Sequence, residues 1–151
     1  MNTNNSLINR DPKVWGPSVW FTIESVVYSL PNQVPLELER DTIKFFYDLS
    51  KVLPCENCRH HYGKYLEKTK VFPGTRVKVF KTRSSALQWI NELHNKVRIR
   101  TGGPDSQIST GEMVQYYNSK YGTETVTTNR DVVLVLMITL ILVTIIQLSK
   151  S

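Results

Sequence analysis

Residues Phe45–Leu66, FFYDLSKVLPCENCRHHYGKYL, hold two helical patterns separated by a proline, with two cysteines directly after it. Upstream of Pro54, the apolar residues Ile43, Phe46, Tyr47, Leu49, Val52 and Leu53 fall on one helical face of a run opened by Pro35. Downstream, Cys55 to Glu67 is helix-permissive, with Tyr62, Tyr65 and Leu66 on one side and no strand-like alternation, until Pro73 and Gly74 break it. Cys55 is therefore predicted near a helix N-terminus, with Cys58 one turn further on.

Outward from this stretch the pattern stays helical. Pro17 suits the first turn of a helix in which Val19, Trp20, Ile23, Val26, Val27 and Leu30 recur until Pro31. Ser85 and Gln88 have capping-box spacing ahead of Leu87, Ile90, Leu93, His94 and Val97, in a helix that closes at Gly102, Gly103 and Pro104. Ser109 and Glu112 repeat that spacing before a short helix through Tyr116 and Tyr117. With no strand pattern or internal repeat, the expected fold is all-α: a four-helix bundle plus a short fifth helix, with a C-terminal transmembrane helix. The absence of strands argues against a thioredoxin fold.

The membrane expectation rests on Val132–Leu148, VVLVLMITLILVTIIQL, which is 17 residues without a charge. As a helix it would span about 25 Å, enough for a thin bilayer such as that of the endoplasmic reticulum. A buried core helix is the alternative, but apolar residues on every side argue against it. The expected organisation is a domain over residues 1–121, a polar linker over 122–130 and an anchor over 131–149. MNTNNSLINRDPK, at the start, has no apolar signal-peptide region, so the chain is expected to be single-pass and tail-anchored with its domain on the cytosolic side.

A length of 151 residues suits one domain with an accessory segment, and a net charge of +6 gives the middle of the chain a basic character. No aromatic-interleaved basic run or nucleic-acid module accompanies it, so nucleic acid is not an expected partner. The two cysteines exclude a multi-disulfide scaffold but leave a redox pair or half a metal site.

Two thiols at this spacing on the first turn of a helix can close a disulfide, and the helix N-terminus favours the reactive thiolate, as do nearby Arg59 and Lys51. The zinc alternative would join Cys55 and Cys58 with His60, His61 or His94, giving a membrane-tethered zinc-binding adaptor or scaffold. An inert pair is the third reading, but a two-residue loop would add little stability. Repeated oxidation by a disulfide needs an electron acceptor, commonly a flavin, and Trp15, Trp20 and Trp89 are suited either to stacking on one or to the core.

Three segments together resemble the Erv/ALR family of FAD-linked sulfhydryl oxidases, over Trp15 to about Gly103. They are WGPSVW (Trp15–Trp20), the Phe45–Leu66 segment with its Pro-Cys-x-x-Cys, and ALQWINELHN (Ala86–Asn95) followed by Val97, which is similar to the family's W-x-x-x-x-H-N-x-V helix. The resemblance implies that Cys58 lies beside the flavin and Cys55 exchanges with substrate. It also implies a cofactor-binding set of Trp15, Gly16, Trp20, Glu24, Trp89, His94, Asn95, Val97 and Arg98, with no metal.

The chain departs from this pattern at three places. Glu24 stands where the family usually has a His near the flavin, and Arg98 where it usually has Asn. Asn91 and Ile108 occupy the positions of a structural disulfide that is often present, so the resemblance implies that helix packing, FAD and dimerisation replace that staple. No second cysteine pair remains to act as a shuttle, so Cys55 is expected to meet protein thiol substrates or a separate dithiol carrier protein directly. The short form with an anchor resembles the family's viral branch, which implies a virion or host endoplasmic reticulum membrane. The implied activity passes electrons from Cys55/Cys58 through FAD to molecular oxygen, giving hydrogen peroxide, in a possible homodimer whose face would come from the first two helices.

Overall fold

Asp11 starts the first helix: its carboxylate accepts the Lys13 backbone N–H (2.9 Å) and Pro12 takes the first helical position, where a missing N–H costs nothing. In a computed structural model of the protein, which describes residues 11–75, 77–122, 134, 136–139 and 147, α1 spans Pro12–Tyr28. It starts five residues before the expected Pro17, which lies inside the helix. The stronger start signal is the Asp-Pro pair, a side-chain cap followed by a pre-set φ.

Helix α2 spans Leu36–Val52 and α3 spans Glu56–Thr69, with Cys55 as its N-cap and Lys70 closing it in the left-handed region (φ 57°). Helix α4 spans Arg83–Gly102 and ends on Gly103 at φ 84°, a conformation that a side chain would strain. Its cap is Thr82, whose hydroxyl accepts the Ser85 N–H at 3.1 Å, so the expected Ser85/Gln88 box lies one turn inside the helix. Long-range contacts set this earlier start. Val34 N–H donates to the Lys81 carbonyl and Arg83 N–H to the Asn32 carbonyl, which pins Thr82 against the α1–α2 loop.

A 3-10 turn over Pro104–Ser106 leads to α5, Thr110–Tyr121. Here the expected capping box forms in full: Ser109 N–H donates to the Glu112 carboxylate (2.6 Å) and Glu112 N–H to the Ser109 hydroxyl (3.1 Å). Hydrogen bonds from the Ser109 backbone N–H and hydroxyl hold the Glu112 carboxyl below its ordinary value. Among the described residues there is no strand, only an isolated bridge between Gln33 and Thr82.

Helix α1 packs on α4 and α2 on α3. An aromatic cluster joins the second pair to α4: Phe46 and Phe80 meet Trp89 edge-on at 5.1 Å, and Tyr65 lies 5.5 Å from it. Two buried phenols lock the cysteine helix in register, Tyr62 donating to the Phe46 carbonyl and Tyr65 to the Trp89 carbonyl, both at 3.0 Å. Burial pushes the phenols of both residues well above their ordinary value, so they stay donors.

The chain divides into two units, residues 1–114 and 115–151, and the boundary falls within α5. In the second unit Tyr117 stacks on Tyr121 at 6.0 Å. The linker lies outside the described residues except for Gly122, and so does most of the anchor. Leu134, Leu136, Met137, Ile138, Thr139 and Gln147 are described and helical. Among the described residues no helix is long and apolar enough to cross a membrane.

Candidate functional site

Pro54 ends the extended link from α2, and the next residue, Cys55, caps α3 from the β region (φ −98°, ψ 120°). Residues three apart in a first turn face each other, so Cys58 comes back over Cys55. The two are joined as a disulfide with Cα atoms 5.1 Å apart, and Cys58 N–H donates to the Cys55 sulfur at 3.1 Å. Both residues are half-buried. The Arg59 guanidinium, one residue on, donates to the Leu53 carbonyl and so stands beside the chain entering the motif. Helix N-terminus and guanidinium both favour a thiolate when the bond opens.

A second constellation lies between α1 and α4. Gly16, Trp20 and Glu24 follow one another by a turn along α1, while His94 and Arg98 do so along α4. Trp20 and His94 stack with ring centroids 3.9 Å apart and planes at 4°. His94 Nδ1 lies 2.5 Å from Glu24 Oε1, and Arg98 Nη2 lies 4.0 Å from the same oxygen. The Glu24 side chain is only 6% exposed, so His94 and Arg98 meet a buried acceptor. A carboxylate can only accept, which puts the His94 proton on Nδ1 and leaves Nε2 as the ring's remaining polar atom.

Arg98 extends this constellation to the loop after α4. Its guanidinium donates to Asn95 Oδ1 (2.9 Å), and Asn95 brackets Ile108 by donating to its carbonyl (2.8 Å) and accepting its N–H (3.1 Å). Asn91 also donates to the Ile108 carbonyl (3.0 Å). The expected loss of a covalent link between positions 91 and 108 is thus offset by a polar one, which the sequence analysis did not anticipate. Asn95→Ala should remove its two bonds to Ile108, leaving the carbonyl to Asn91 and the N–H unmet, and lower stability by about 1–3 kcal/mol in chemical denaturation of the full chain.

The structure therefore brings Trp20, Glu24, His94 and Arg98 into one cluster, with Asn95 attached through Arg98. Gly16 is buried, and a Cβ placed on it would meet nothing within 4 Å, so space remains beside the cluster. Trp15 and Val97 are half-buried on the same two helices. Trp89 instead sits in the aromatic core, and its indole N–H is the one buried side-chain polar atom without a partner among the described residues. Planar side chains and open space beside a glycine fit a large aromatic cofactor. No group of three or more metal-ligand side chains occurs among the described residues.

These features define a helical redox domain, with a disulfide at a helix N-terminus and an aromatic, charged cluster between the first and fourth helices. The model of the Erv1 / Alr family matches residues 17–120, and the chain belongs to that family. Protein 347L of Invertebrate iridescent virus 6, which carries the name of an FAD-linked sulfhydryl oxidase, is 26% identical over 95 residues, 62% of this chain and 85% of that protein. Protein R368 of Acanthamoeba polyphaga mimivirus, similarly named, is 31% identical over 91 residues, 60% of this chain and 61% of that protein. In fold, the chain is similar to the crystal structure of the yeast Erv1 core, with a TM-score of 0.59 and 21% identity over 80% of this chain and 92% of that one. The FAD binding domain of Erv1 from Saccharomyces cerevisiae gives 0.57 and 22%, over 74% and 93%.

Proposed function

We propose that this chain forms disulfide bonds in protein substrates through Cys55 and Cys58. It is an FAD-dependent thiol oxidase, and the observation that carries this reading is the disulfide on the first turn of α3 within an Erv1 / Alr fold. A substrate thiolate attacks the Cys55 sulfur, forming a mixed disulfide and releasing Cys58 as a thiolate that the α3 N-terminus stabilises. A second substrate thiol then attacks the substrate sulfur of that mixed disulfide, giving the product disulfide and the reduced Cys55/Cys58 pair. Bound FAD would supply the acceptor for that electron pair and the route for it to molecular oxygen, with hydrogen peroxide as the product. Gly16, Trp20, His94, Asn95 and Arg98 would hold it, the aromatic rings by stacking and the polar groups by hydrogen bonds.

The zinc-adaptor reading is weaker. Both cysteine sulfurs are spent in the disulfide, and His94 is committed to Glu24 and Trp20.

The same proposal includes single-pass attachment to a membrane through residues 131–149, with the oxidase domain on the cytosolic side of a virion or host endoplasmic reticulum membrane. The uncharged run Val132–Leu148 supports it, as do Leu134, Leu136, Met137 and Ile138, each helical and at least half exposed. A homodimer is also part of the reading, supported by exposed Phe21 on α1 and Leu38 and Phe45 on α2.

Purified full-length chain should be yellow with bound flavin and should consume oxygen when a dithiol is added. A folded, colourless protein without oxygen uptake would refute the oxidase reading.

A further inference from the structure

Beside the redox pair, the end of α2 and the outer face of α3 enclose an open cleft of about 430 Å³, lined by Lys51, Arg59, His60, Lys64 and Glu67 among others. Arg59 and His60 directly follow Cys58, and the Arg59 backbone N–H donates to the Cys55 carbonyl at 3.0 Å, so the cleft begins within a turn of the disulfide.

Among its lining residues Lys51, Arg59 and Lys64 stand against one carboxylate, Glu67, which leaves a positive excess. Lys51 is tied to Asp48 at 2.8 Å, which also holds Lys44. By contrast, the Arg59 guanidinium bonds only a neutral acceptor, the Leu53 carbonyl, and Lys64 has no ion-pair partner among the described residues. On α4, the Arg100 guanidinium likewise meets a carbonyl, that of Lys96. His61, beside His60 on α3, is held below its ordinary value by Arg100, then by desolvation, and then by His60 and Lys64. The surface beside the exchanging cysteine is therefore positive.

We propose that this cleft docks an acidic segment next to the substrate cysteine, so that the oxidase selects thiols flanked by Asp and Glu. The inference rests on the thiol-oxidase reading above. An acidic polypeptide fits better than an anionic membrane, because a lipid surface on α3 would cover the disulfide that substrate must reach. Attraction between exposed charges acts mainly on encounter, so the selectivity belongs in kcat/KM and weakens with salt.

The test compares two dithiol peptides as substrates of the full-length, FAD-loaded chain in detergent, one with Asp and Glu around its cysteines and one with Asn and Gln. Dithiothreitol serves as the uncharged reference. At low salt the acidic peptide should have a kcat/KM about tenfold higher, falling to near parity at molar salt, where the screening length is about 3 Å. The double variant Lys64→Glu/Arg100→Glu should abolish or invert the preference. If dithiothreitol is oxidised but wild type treats both peptides alike, the docking inference fails while the oxidase reading survives. If dithiothreitol is not oxidised, the oxidase reading itself fails. Equal peptide rates together with capture by phosphatidylserine vesicles that Lys64→Glu weakens would assign the cleft to a membrane and overturn the proposal.

Discussion

Cys58→Ser is expected to keep its FAD and its fold while dithiol-driven oxygen uptake falls by more than about 10³-fold. Cys58 packs no part of the core: it is half-buried, and its backbone N–H still caps onto the Cys55 sulfur in the variant. A disulfide closing a two-residue loop restricts the unfolded chain little, so its removal costs little stability. The chemistry has no such reserve. Without Cys58, Cys55 is a free thiol and offers substrate no disulfide to attack, so no electron pair is collected, and no other cysteine exists in the chain to substitute. Oxygen-electrode rates and the flavin-to-protein absorbance ratio separate the two effects. Unchanged turnover in this variant would remove Cys58 from the mechanism.

His94→Ala should lose most of its bound FAD and destabilise the domain by about 3 kcal/mol. The variant removes the ring stacked on Trp20 and takes the His94 partner from the buried Glu24 carboxylate. Removing a hydrogen-bond partner of a buried acceptor costs about 1–3 kcal/mol, and the lost stack on Trp20 places this case at the upper end. Removing the stranded carboxylate as well should recover part of the loss, so Glu24→Gln/His94→Ala should be more stable than the sum of the single variants. Denaturation of flavin-free protein measures the stability term, and flavin retained through gel filtration measures the binding term. Full retention with unchanged stability would exclude His94 from the pocket.

Local chemistry made part of this architecture legible. Pro54 followed by Cys-x-x-Cys located the start of α3, and Ser109/Glu112 located that of α5, because each cap lies within four residues. The start of α4 was misplaced by a turn because Thr82 is selected by Asn32 and Val34, partners about fifty residues away that no local window contains. In α1 the internal Pro17 drew attention from the Asp11-Pro12 start.

The candidate pocket divides the same way. His94 and Asn95 stood out through the family motif, but the Glu24–His94 contact joins residues 70 apart in the chain and has no periodic signature. Asn91 and Ile108 were marked only as positions lacking a disulfide. That an amide and a carbonyl would meet there depends on how the loop after α4 folds back. For Trp89 the sequence leaves core and cofactor both open, the family motif implies cofactor contact, and its ring lies among Phe46, Tyr65 and Phe80.

Electron delivery from the cysteine pair to the flavin is the central claim, and an anaerobic dithiol titration of the full-length protein tests it most directly. The account expects the visible flavin absorbance of wild type to bleach as dithiol is added, and that of Cys58→Ser to persist. Bleaching at the same rate in both proteins would contradict it, because electrons would then be reaching the flavin without passing through Cys55 and Cys58.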